Sequence, residues 1–159
     1  MGVLALMNPA LPNLLVTYAV CTVALLFNVK IGNFSSASSA EHPPEDAFLK
    51  MPEPPPEIKR YQRLVMNNLE NIPYDALLFW VAFVAVLAQS IAGAGSGGQQ
   101  EALALNVLLP IYSAARISFT VCYLRALQPY RTLSFVVGTC CVVAAGGVLL
   151  SSTAKAYSL

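Results

Sequence analysis

Charged residues are scarce in this sequence, and their scarcity limits what the protein can be. Only 11% of the 159 residues are Asp, Glu, Lys or Arg, and the formal net charge is +1. Proteins that bind nucleic acid normally carry a basic face or a run of Lys and Arg, and the sequence has no such run. We therefore predict no nucleic-acid partner.

Residues that build metal and disulfide sites are also few. The single histidine, His42, lies in a proline-rich segment without a second ligand nearby. The four cysteines, Cys21, Cys122, Cys140 and Cys141, lie in apolar stretches without a CxxC pair. Apolar burial keeps a thiol protonated and inert, so we interpret the cysteines as packing residues and predict no metal site.

Apolar residues dominate the chain. They make up 57% of it, and the mean hydropathy is +0.62, which is more than an ordinary soluble domain carries. A chain of 159 residues cannot bury so much apolar surface in one aqueous core, so lipid must cover part of it.

Four apolar runs are each long enough to cross a hydrocarbon core of about 30 Å. Their approximate bounds are 11–31, 74–94, 102–127 and 132–152. The first run is interpreted as a membrane span rather than a cleaved signal peptide, because no basic residue precedes Lys30. We expect one all-α domain over residues 1–159, folded as an integral membrane, left-handed four-helix bundle.

Proline and glycine mark the connections between the spans. Residues 32–56 are proline-rich and polar, and they predict a loop. A helix then begins at Pro56 or Glu57, because proline suits the first helical turn and an acid there complements the helix dipole. Residues 93–100 predict a flexible turn, and residues 128–131 predict a tight connection.

Small residues share one face of the fourth span. They are Ser134, Gly138, Cys141 and Ala145. Such a stripe lets membrane helices approach closely, so we predict that this face packs inside the bundle.

Basic residues are distributed unevenly between the two ends of the spans. Those near the 32–56 loop and the turn between spans three and four are Lys30, Lys50, Lys59, Arg60, Arg63, Arg125 and Arg131, whereas the opposite end has Lys155. By the positive-inside rule, the loop and this turn face the cytosol, and both termini face the lumen or the exterior.

Polar residues share one face of the helix that leads into the second span. They are Arg60, Arg63, Asn67, Glu70 and Asn71, which fall within roughly 100° of one another on a helix. Ionisable groups at membrane depth cost several kcal/mol unless they face protein or a water-filled cavity. We therefore expect this face to meet partners on neighbouring helices.

The third span has a polar face of its own, formed by Arg116, Thr120 and Tyr123. Arg116 lies too far from either end to reach water easily, so we expect it to pair with Glu70 or Asp75. These residues either only hold the helices together or contribute to a binding site. Arg60, Arg63 and Arg131 favour the second interpretation, because guanidinium groups that converge on one pocket bind carboxylates.

Three motifs in these segments resemble a known family. They are Arg60-x-x-Arg63-x-x-x-Asn67-Asn68-x-Glu70-Asn71-Ile72-Pro73, Arg116-x-x-x-Thr120-x-x-Tyr123-Leu124 and Pro129-x-Arg131. Together they are similar to the MAPEG superfamily, the membrane-associated proteins in eicosanoid and glutathione metabolism. The likeness covers all four spans in order. The segments Ala10-Leu11-Pro12 and Pro44-Glu45-Asp46-Ala47 also resemble the branch of microsomal glutathione transferases and prostaglandin E synthases.

The resemblance implies a homotrimer in the endoplasmic reticulum or another intracellular membrane, with glutathione as co-substrate bound between neighbouring subunits. By their place in the motifs, the residues that would bind glutathione are Arg63, Asn67, Glu70, Tyr123 and Arg131. Arg131 would face the sulfur and Thr132 would bring a hydroxyl close to it, so these two are the expected catalytic residues. The remaining polar residues are expected to have structural roles inside the membrane, namely Arg60, Asn71, Asp75, Arg116 and Thr120.

The implied chemistry is activation of the glutathione thiol. A free thiol has a pKa of about 8.5 and reacts as the thiolate. A facing guanidinium and a hydroxyl donor would lower that pKa by roughly 1 to 2 units. The thiolate would then attack a lipophilic electrophile or a lipid hydroperoxide, which makes the protein a membrane-bound glutathione transferase or peroxidase. The alternative is a non-enzymatic, lipid-binding member of the family.

The sequence departs from the family pattern at several positions. Phe119 stands where many relatives have histidine, Met66 where they have a basic or polar residue, and Phe135 where the prostaglandin synthase branch has tyrosine. These differences argue against prostaglandin synthesis.

Overall fold

The computed structural model describes residues 10–38, 56–92 and 98–157. Within these ranges the chain forms four α-helices and no strand: α1 (Ala10–Ser38), α2 (Pro56–Ala92), α3 (Gln99–Leu124) and α4 (Gln128–Tyr157). Each helix contains a segment that is long and apolar enough to cross a membrane. The protein is therefore all-helical over the described ranges and fits a four-helix membrane bundle, as the sequence predicts.

The ends of the first two helices agree only partly with expectation. α2 begins at Pro56, as predicted from its proline. α1 continues to Ser38, so the prediction of a loop from residue 32 is wrong for residues 32–38. The remainder of that loop, before Pro56, lies outside the described residues, as do residues 93–97 of the predicted glycine-rich turn.

The connection between α3 and α4 is shorter than the sequence suggested. The prediction of a tight connection over residues 128–131 is wrong, because α4 already begins at Gln128. Proline in the first turn of a helix needs no hydrogen-bond partner for its nitrogen, so Pro129 starts α4 instead of interrupting it. The turn itself is Arg125–Leu127, with Ala126 at a positive φ of 58°.

Backbone hydrogen bonds hold this turn closed. The N–H groups of Arg125 and Leu127 donate to the carbonyls of Val121 and Cys122, at 3.0 and 2.9 Å. They satisfy carbonyl groups that the end of α3 would otherwise leave without partners. The last turn of α3 and the first turn of α4 are therefore fixed close to each other.

The interior of the bundle is built from aromatic and small side chains. Tyr18, Phe79 and Tyr112 are fully buried, and the Tyr18 hydroxyl donates a hydrogen bond to the Phe79 carbonyl. The Phe79 and Tyr112 rings lie 5.3 Å apart, within the range for favourable ring contacts. These three residues join α1, α2 and α3.

The small-residue face of α4 packs inward. Gly138, Cys141 and Ala145 are buried, and a Cβ atom added at Gly138 would lie 3.9 Å from the Tyr112 ring. The predicted packing face is therefore confirmed at these three positions. The outer surface of α4 is apolar, with Val143 and Leu150 both 71% exposed, as expected of a helix in contact with lipid.

The cysteines are free thiols. Cys21 and Cys141 are buried in the bundle, which agrees with their interpretation as packing residues. Cys140 is exposed, so that interpretation is wrong for this side chain. Adjacent residues on a helix point in different directions, and Cys141 occupies the inward one of the pair.

Polar side chains also join α3 and α4 at the end of the bundle opposite the Arg125–Leu127 turn. Glu101 is buried, forms an ion pair with Lys155, and accepts a hydrogen bond of 3.1 Å from the Ser151 hydroxyl. The two helices are thus connected at both ends.

Candidate functional site

An ion pair between a buried arginine and a partly buried aspartate connects α2 and α3. The Arg116 guanidinium lies 3.0 Å from the Asp75 carboxylate, and Arg116 is only 3% exposed. The Tyr112 hydroxyl donates to the same carboxylate at 2.7 Å and accepts from the Arg116 Nε at 3.2 Å. Of the two acidic partners proposed from the sequence, Asp75 is the one that pairs with Arg116.

A hydrogen bond between Asn68 and Thr120 joins the same helices closer to the Arg125–Leu127 turn. The Asn68 Nδ2 donates to the Thr120 Oγ1 at 3.3 Å, and both residues are 1% exposed. No role was predicted for Asn68 from the sequence. Its spacing of seven residues from Asp75 was the available signal, because residues seven apart lie on the same side of a helix.

Beyond this hydrogen bond, two cavities open between the ends of α2, α3 and α4. The first, which we name the cationic cavity, has a volume of about 210 Å³. It is lined by Arg60, Arg63, Tyr123, Ala126, Gln128 and Arg131. Three guanidinium groups border one small space, which is an arrangement that can bind carboxylates.

The second cavity, which we name the aromatic cavity, has a volume of about 270 Å³. It is lined by Asn67, Phe119, Tyr123, Arg131, Thr132 and Phe135. The Phe119 ring lies 5.6 Å from the Tyr123 ring and 6.2 Å from the Phe135 ring. One wall of this cavity is therefore a cluster of three rings, and the other lining residues are polar.

Tyr123 and Arg131 line both cavities and form the wall between them. The guanidinium carbon of Arg131 lies 4.9 Å from the centroid of the Tyr123 ring, which is a cation–π contact. The Arg125–Leu127 turn brings the two residues together, since Tyr123 is near the end of α3 and Arg131 lies in the first turns of α4.

Asn67 and Thr132, two further residues expected at the site, line the aromatic cavity. The Thr132 side chain is exposed, and its hydroxyl donates a long hydrogen bond of 3.4 Å to the Gln128 carbonyl. The Asn67 Oδ1 is buried without a hydrogen-bond partner. A buried amide oxygen without a donor is unusual in proteins.

The polar face of α2 is only partly directed into the bundle. Arg63 lines the cationic cavity, but its side chain is exposed. Asn71 donates a hydrogen bond of 2.7 Å to the Asn67 carbonyl within its own helix. Glu70 is exposed and lines neither cavity. Within the single chain Glu70 does not point into the bundle, because the inward direction of α2 passes through Asn68 and Ile72. Its role at a site between subunits stays a prediction.

Phe119 and Phe135 were noted in the sequence only as departures from a polar pattern. In the structure they form most of the ring wall of the aromatic cavity. The arrangement can therefore bind an anionic group on one side of the Tyr123–Arg131 wall and an apolar group on the other.

Comparison with known proteins agrees with these motifs. The model of the MAPEG family matches residues 3–151 of the chain. No curated protein and no solved structure matches it. Because the family match extends over nearly all of the 159 residues, the chain belongs to the MAPEG family.

Proposed function

We propose that the protein is a membrane-bound glutathione transferase or peroxidase of the microsomal glutathione transferase and prostaglandin E synthase branch. The observation that carries the proposal is the pair of adjoining cavities with a shared Tyr123–Arg131 wall. One cavity is cationic and the other is largely aromatic. Family membership supports a role in glutathione or eicosanoid metabolism in general.

The cationic cavity suits part of glutathione, a tripeptide with two carboxylates, one amino group and one thiol. Arg63 would bind a carboxylate by charge-assisted hydrogen bonds, and Tyr123 lines the same cavity. Asn67 lines the adjoining aromatic cavity, and its side-chain amide would hydrogen-bond the peptide where glutathione enters that cavity. A volume of about 210 Å³ is small for a whole tripeptide, so other surfaces must contribute.

A neighbouring subunit would supply the remaining surface. Arg63 and Glu70 are exposed in the single chain, so both are accessible to a neighbouring subunit. Assembly as a homotrimer would cover them and place Glu70 against glutathione bound between subunits. Its carboxylate would then pair with the glutathione amino group.

The reaction would take place at the Tyr123–Arg131 wall. The Arg131 guanidinium and the Thr132 hydroxyl would stabilise the thiolate, which lowers the pKa of the glutathione thiol. In the transferase reaction, the thiolate sulfur forms a bond to an electrophilic carbon and the leaving group departs with its electron pair. In the peroxidase reaction, two glutathione molecules are oxidised to the disulfide, and the hydroperoxide is reduced to an alcohol and water.

The proposed location is an intracellular membrane such as the endoplasmic reticulum, with the site open to the cytosol. Arg60, Arg63, Arg125 and Arg131 all lie at the end of the bundle that holds the two cavities. This distribution supports the orientation through the positive-inside rule. Cytosolic glutathione would reach the cationic cavity from water, and an apolar acceptor would reach the aromatic cavity from lipid.

A non-enzymatic lipid-binding protein is the second candidate. It is favoured by the replacement of polar family positions with Phe119 and Phe135, which line the aromatic cavity. Such a protein would bind an apolar ligand in the aromatic cavity without activating a thiol.

An experiment with two arginine variants separates the candidates. The purified protein and its Arg131→Ala variant are tested for glutathione binding and for conjugation of 1-chloro-2,4-dinitrobenzene. Arg125→Ala is the matched control, because Arg125 is exposed in the adjacent turn and lines neither cavity. The enzyme predicts a large loss for Arg131→Ala alone. Equal rates for both variants remove Arg131 from the mechanism, and absence of glutathione binding by the unaltered protein supports the lipid-binding candidate.

A further inference from the structure

We propose that a groove between α3 and α4, at the end of the bundle opposite the two cavities, binds a membrane phospholipid with an ethanolamine headgroup. One acyl chain of the lipid would lie in the groove, the phosphate would contact Lys155, and the ammonium group would contact Glu101. This second site lies in the membrane leaflet opposite the candidate glutathione site and does not depend on glutathione chemistry.

The groove is mostly apolar and is large enough for part of a lipid. Its volume is about 340 Å³, within the range of about 300 to 1,000 Å³ that is usual for ligand sites. The apolar part is lined by Ala104, Ala144, Gly147 and Val148. Ser151 lies seven residues beyond Ala144 on α4, so the groove extends about 10 Å from its polar end into the membrane.

The space beside Gly147 is not used for packing within the chain. Among the residues that the structure describes, a Cβ atom added at Gly147 would meet nothing within 4 Å outside its own stretch of helix. The same atom at Gly138 would lie 3.9 Å from the Tyr112 ring. The small residues of α4 therefore serve two purposes, since Gly138 admits a neighbouring helix and Gly147 leaves room for another molecule.

The surfaces on both sides of the groove are suited to lipid. Leu103 and Val107 are exposed on α3, and Val143 and Leu150 are exposed on α4. All four side chains are apolar, as expected of helices in contact with hydrocarbon. An acyl chain in the groove would therefore continue the layer of lipid chains around the bundle.

The polar end of the groove lies at the depth of lipid headgroups. Glu101 is in the first turn of α3, and Lys155 is in the last turn of α4. With 26 residues, α3 is about 39 Å long, which exceeds a hydrocarbon core of about 30 Å. Glu101 is only 7% exposed, whereas the Lys155 side chain is 51% exposed. The lysine can therefore reach the surface of the membrane while the carboxylate borders the groove.

The charges at this end match a headgroup that carries both signs. The Glu101–Lys155 ion pair has no net charge, and Gln100 lines the groove beside it. An ammonium group has three donors, so Lys155 can bind a phosphate while it stays paired with Glu101. The ethanolamine ammonium can donate hydrogen bonds to the Glu101 carboxylate, which a choline headgroup cannot do because it has no N–H. A glycerol headgroup has no cation to offset the repulsion between its phosphate and this carboxylate.

The test measures lipid binding to the full-length protein in detergent by native mass spectrometry. Dioleoyl phosphatidylethanolamine, phosphatidylcholine and phosphatidylglycerol are titrated separately. Gly147→Leu fills the groove. Gly146→Leu is the matched control, because a Cβ atom there also meets nothing within 4 Å among the described residues and Gly146 does not line the groove. Combining Glu101→Gln with Lys155→Gln removes both charges, so that neither is left unpaired.

We expect phosphatidylethanolamine to bind the unaltered protein and Gly146→Leu about tenfold or more tightly than the other two lipids, the effect of a hydrogen bond to a charged group. Gly147→Leu should lose this binding, and the double variant should bind the ethanolamine and choline lipids equally. Phosphatidylethanolamine should also raise the Tm of the unaltered protein but not that of Gly147→Leu. Should Gly147→Leu fail to fold, Ala144→Leu decides the outcome, since Ala144 is exposed in the same groove.

Three results would overturn the proposal. Equal binding of the three lipids by the unaltered protein contradicts selection of the ethanolamine headgroup. Unchanged binding by Gly147→Leu places the lipid elsewhere. A change of oligomeric state in Gly147→Leu, but not in Gly146→Leu, shows that a second copy of the chain covers the groove. Glutathione binding is measured in parallel and should be the same in all variants, so failure of this proposal leaves the proposed function standing.

Discussion

The guanidinium carbon of Arg131 lies 4.9 Å from the centroid of the Tyr123 ring. A cation over an aromatic face is attracted by roughly 0.5 to 1 kcal/mol where exposed, and by about 2 kcal/mol where desolvated. Arg131 is half-buried, so the contact is strong enough to favour one position of the guanidinium. Under the proposed function, Tyr123 would therefore act on the glutathione thiol through Arg131, as a positioning residue.

Two substitutions of Tyr123 separate the role of its ring from the role of its hydroxyl group. We expect Tyr123→Phe to retain the low pKa of the bound thiol, because the ring remains under Arg131. Tyr123→Leu should raise that pKa toward the value of about 8.5 for a free thiol. The measurement is the ultraviolet absorbance of the glutathione thiolate as a function of pH.

The pH dependence has a definite sign. The proposed function predicts that the glutathione thiolate forms at lower pH in the unaltered protein than in Tyr123→Leu. The conjugation rate of the unaltered protein should then reach its plateau at a lower pH. Weaker glutathione binding by Tyr123→Phe, with an unchanged pH profile in Tyr123→Leu, would assign direct binding to the hydroxyl instead.

Thr132 is predicted to contribute through its hydroxyl alone. A hydrogen bond to a charged group contributes about 1.5 to 3 kcal/mol, so Thr132→Val should lower kcat by about tenfold or more. Thr132→Ser keeps the hydroxyl and should retain most of the rate. Steady-state kinetics at saturating glutathione provide the measurement, and equal rates for Val and Ser would place the hydroxyl outside the reaction.

The Asp75–Arg116 pair is predicted to stabilise the fold. Asp75→Asn leaves the buried Arg116 guanidinium without its counter-charge, which costs about 3 to 5 kcal/mol in the free energy of unfolding. Glu70→Gln is the matched control, because Glu70 is exposed and lies on the same helix. Unfolding by denaturing detergent measures both variants, and similar stabilities for the two would contradict the pairing.

Mixed assemblies test whether the site lies between subunits. Glu70→Ala and Arg131→Ala chains are each expected to be inactive as homotrimers. When the two are coexpressed, some sites would combine Glu70 from one chain with Arg131 from its neighbour, and activity would partly return. No recovery in assemblies shown to contain both chains would mean that the two residues act within one chain.

The sequence predicted those features that depend on one helix and its periodicity. Pro56 marked the start of α2, and the spacing of Gly138, Cys141 and Ala145 identified the buried face of α4. Features that depend on how two helices meet were not predictable in this way. Asn67 and Asn68 are adjacent and chemically identical. The seven-residue spacing to Asp75 indicates the face on which Asn68 lies, but its contact with Thr120 depends on how α2 packs on α3.

The candidate site was likewise only partly predictable from the sequence. The sequence identified Arg63, Tyr123 and Arg131 as candidates, and they line the cationic cavity. It gave Phe119 and Phe135 no role, because apolar residues in a membrane helix carry no signal that distinguishes a cavity wall from a lipid-facing surface. Their contact across α3 and α4 becomes visible only when the two helices are packed together.

The turn at Arg125–Leu127 sets the rotation of α4 relative to α3. Each residue turns a helix by about 100° and advances it by about 1.5 Å, so one inserted residue would swing Arg131 to another side of the bundle. A deletion would do the same in the opposite sense. The number of residues between Tyr123 and Arg131 therefore determines whether the two side chains meet. Insertions and deletions in this turn should disrupt their contact far more than substitutions that keep its length.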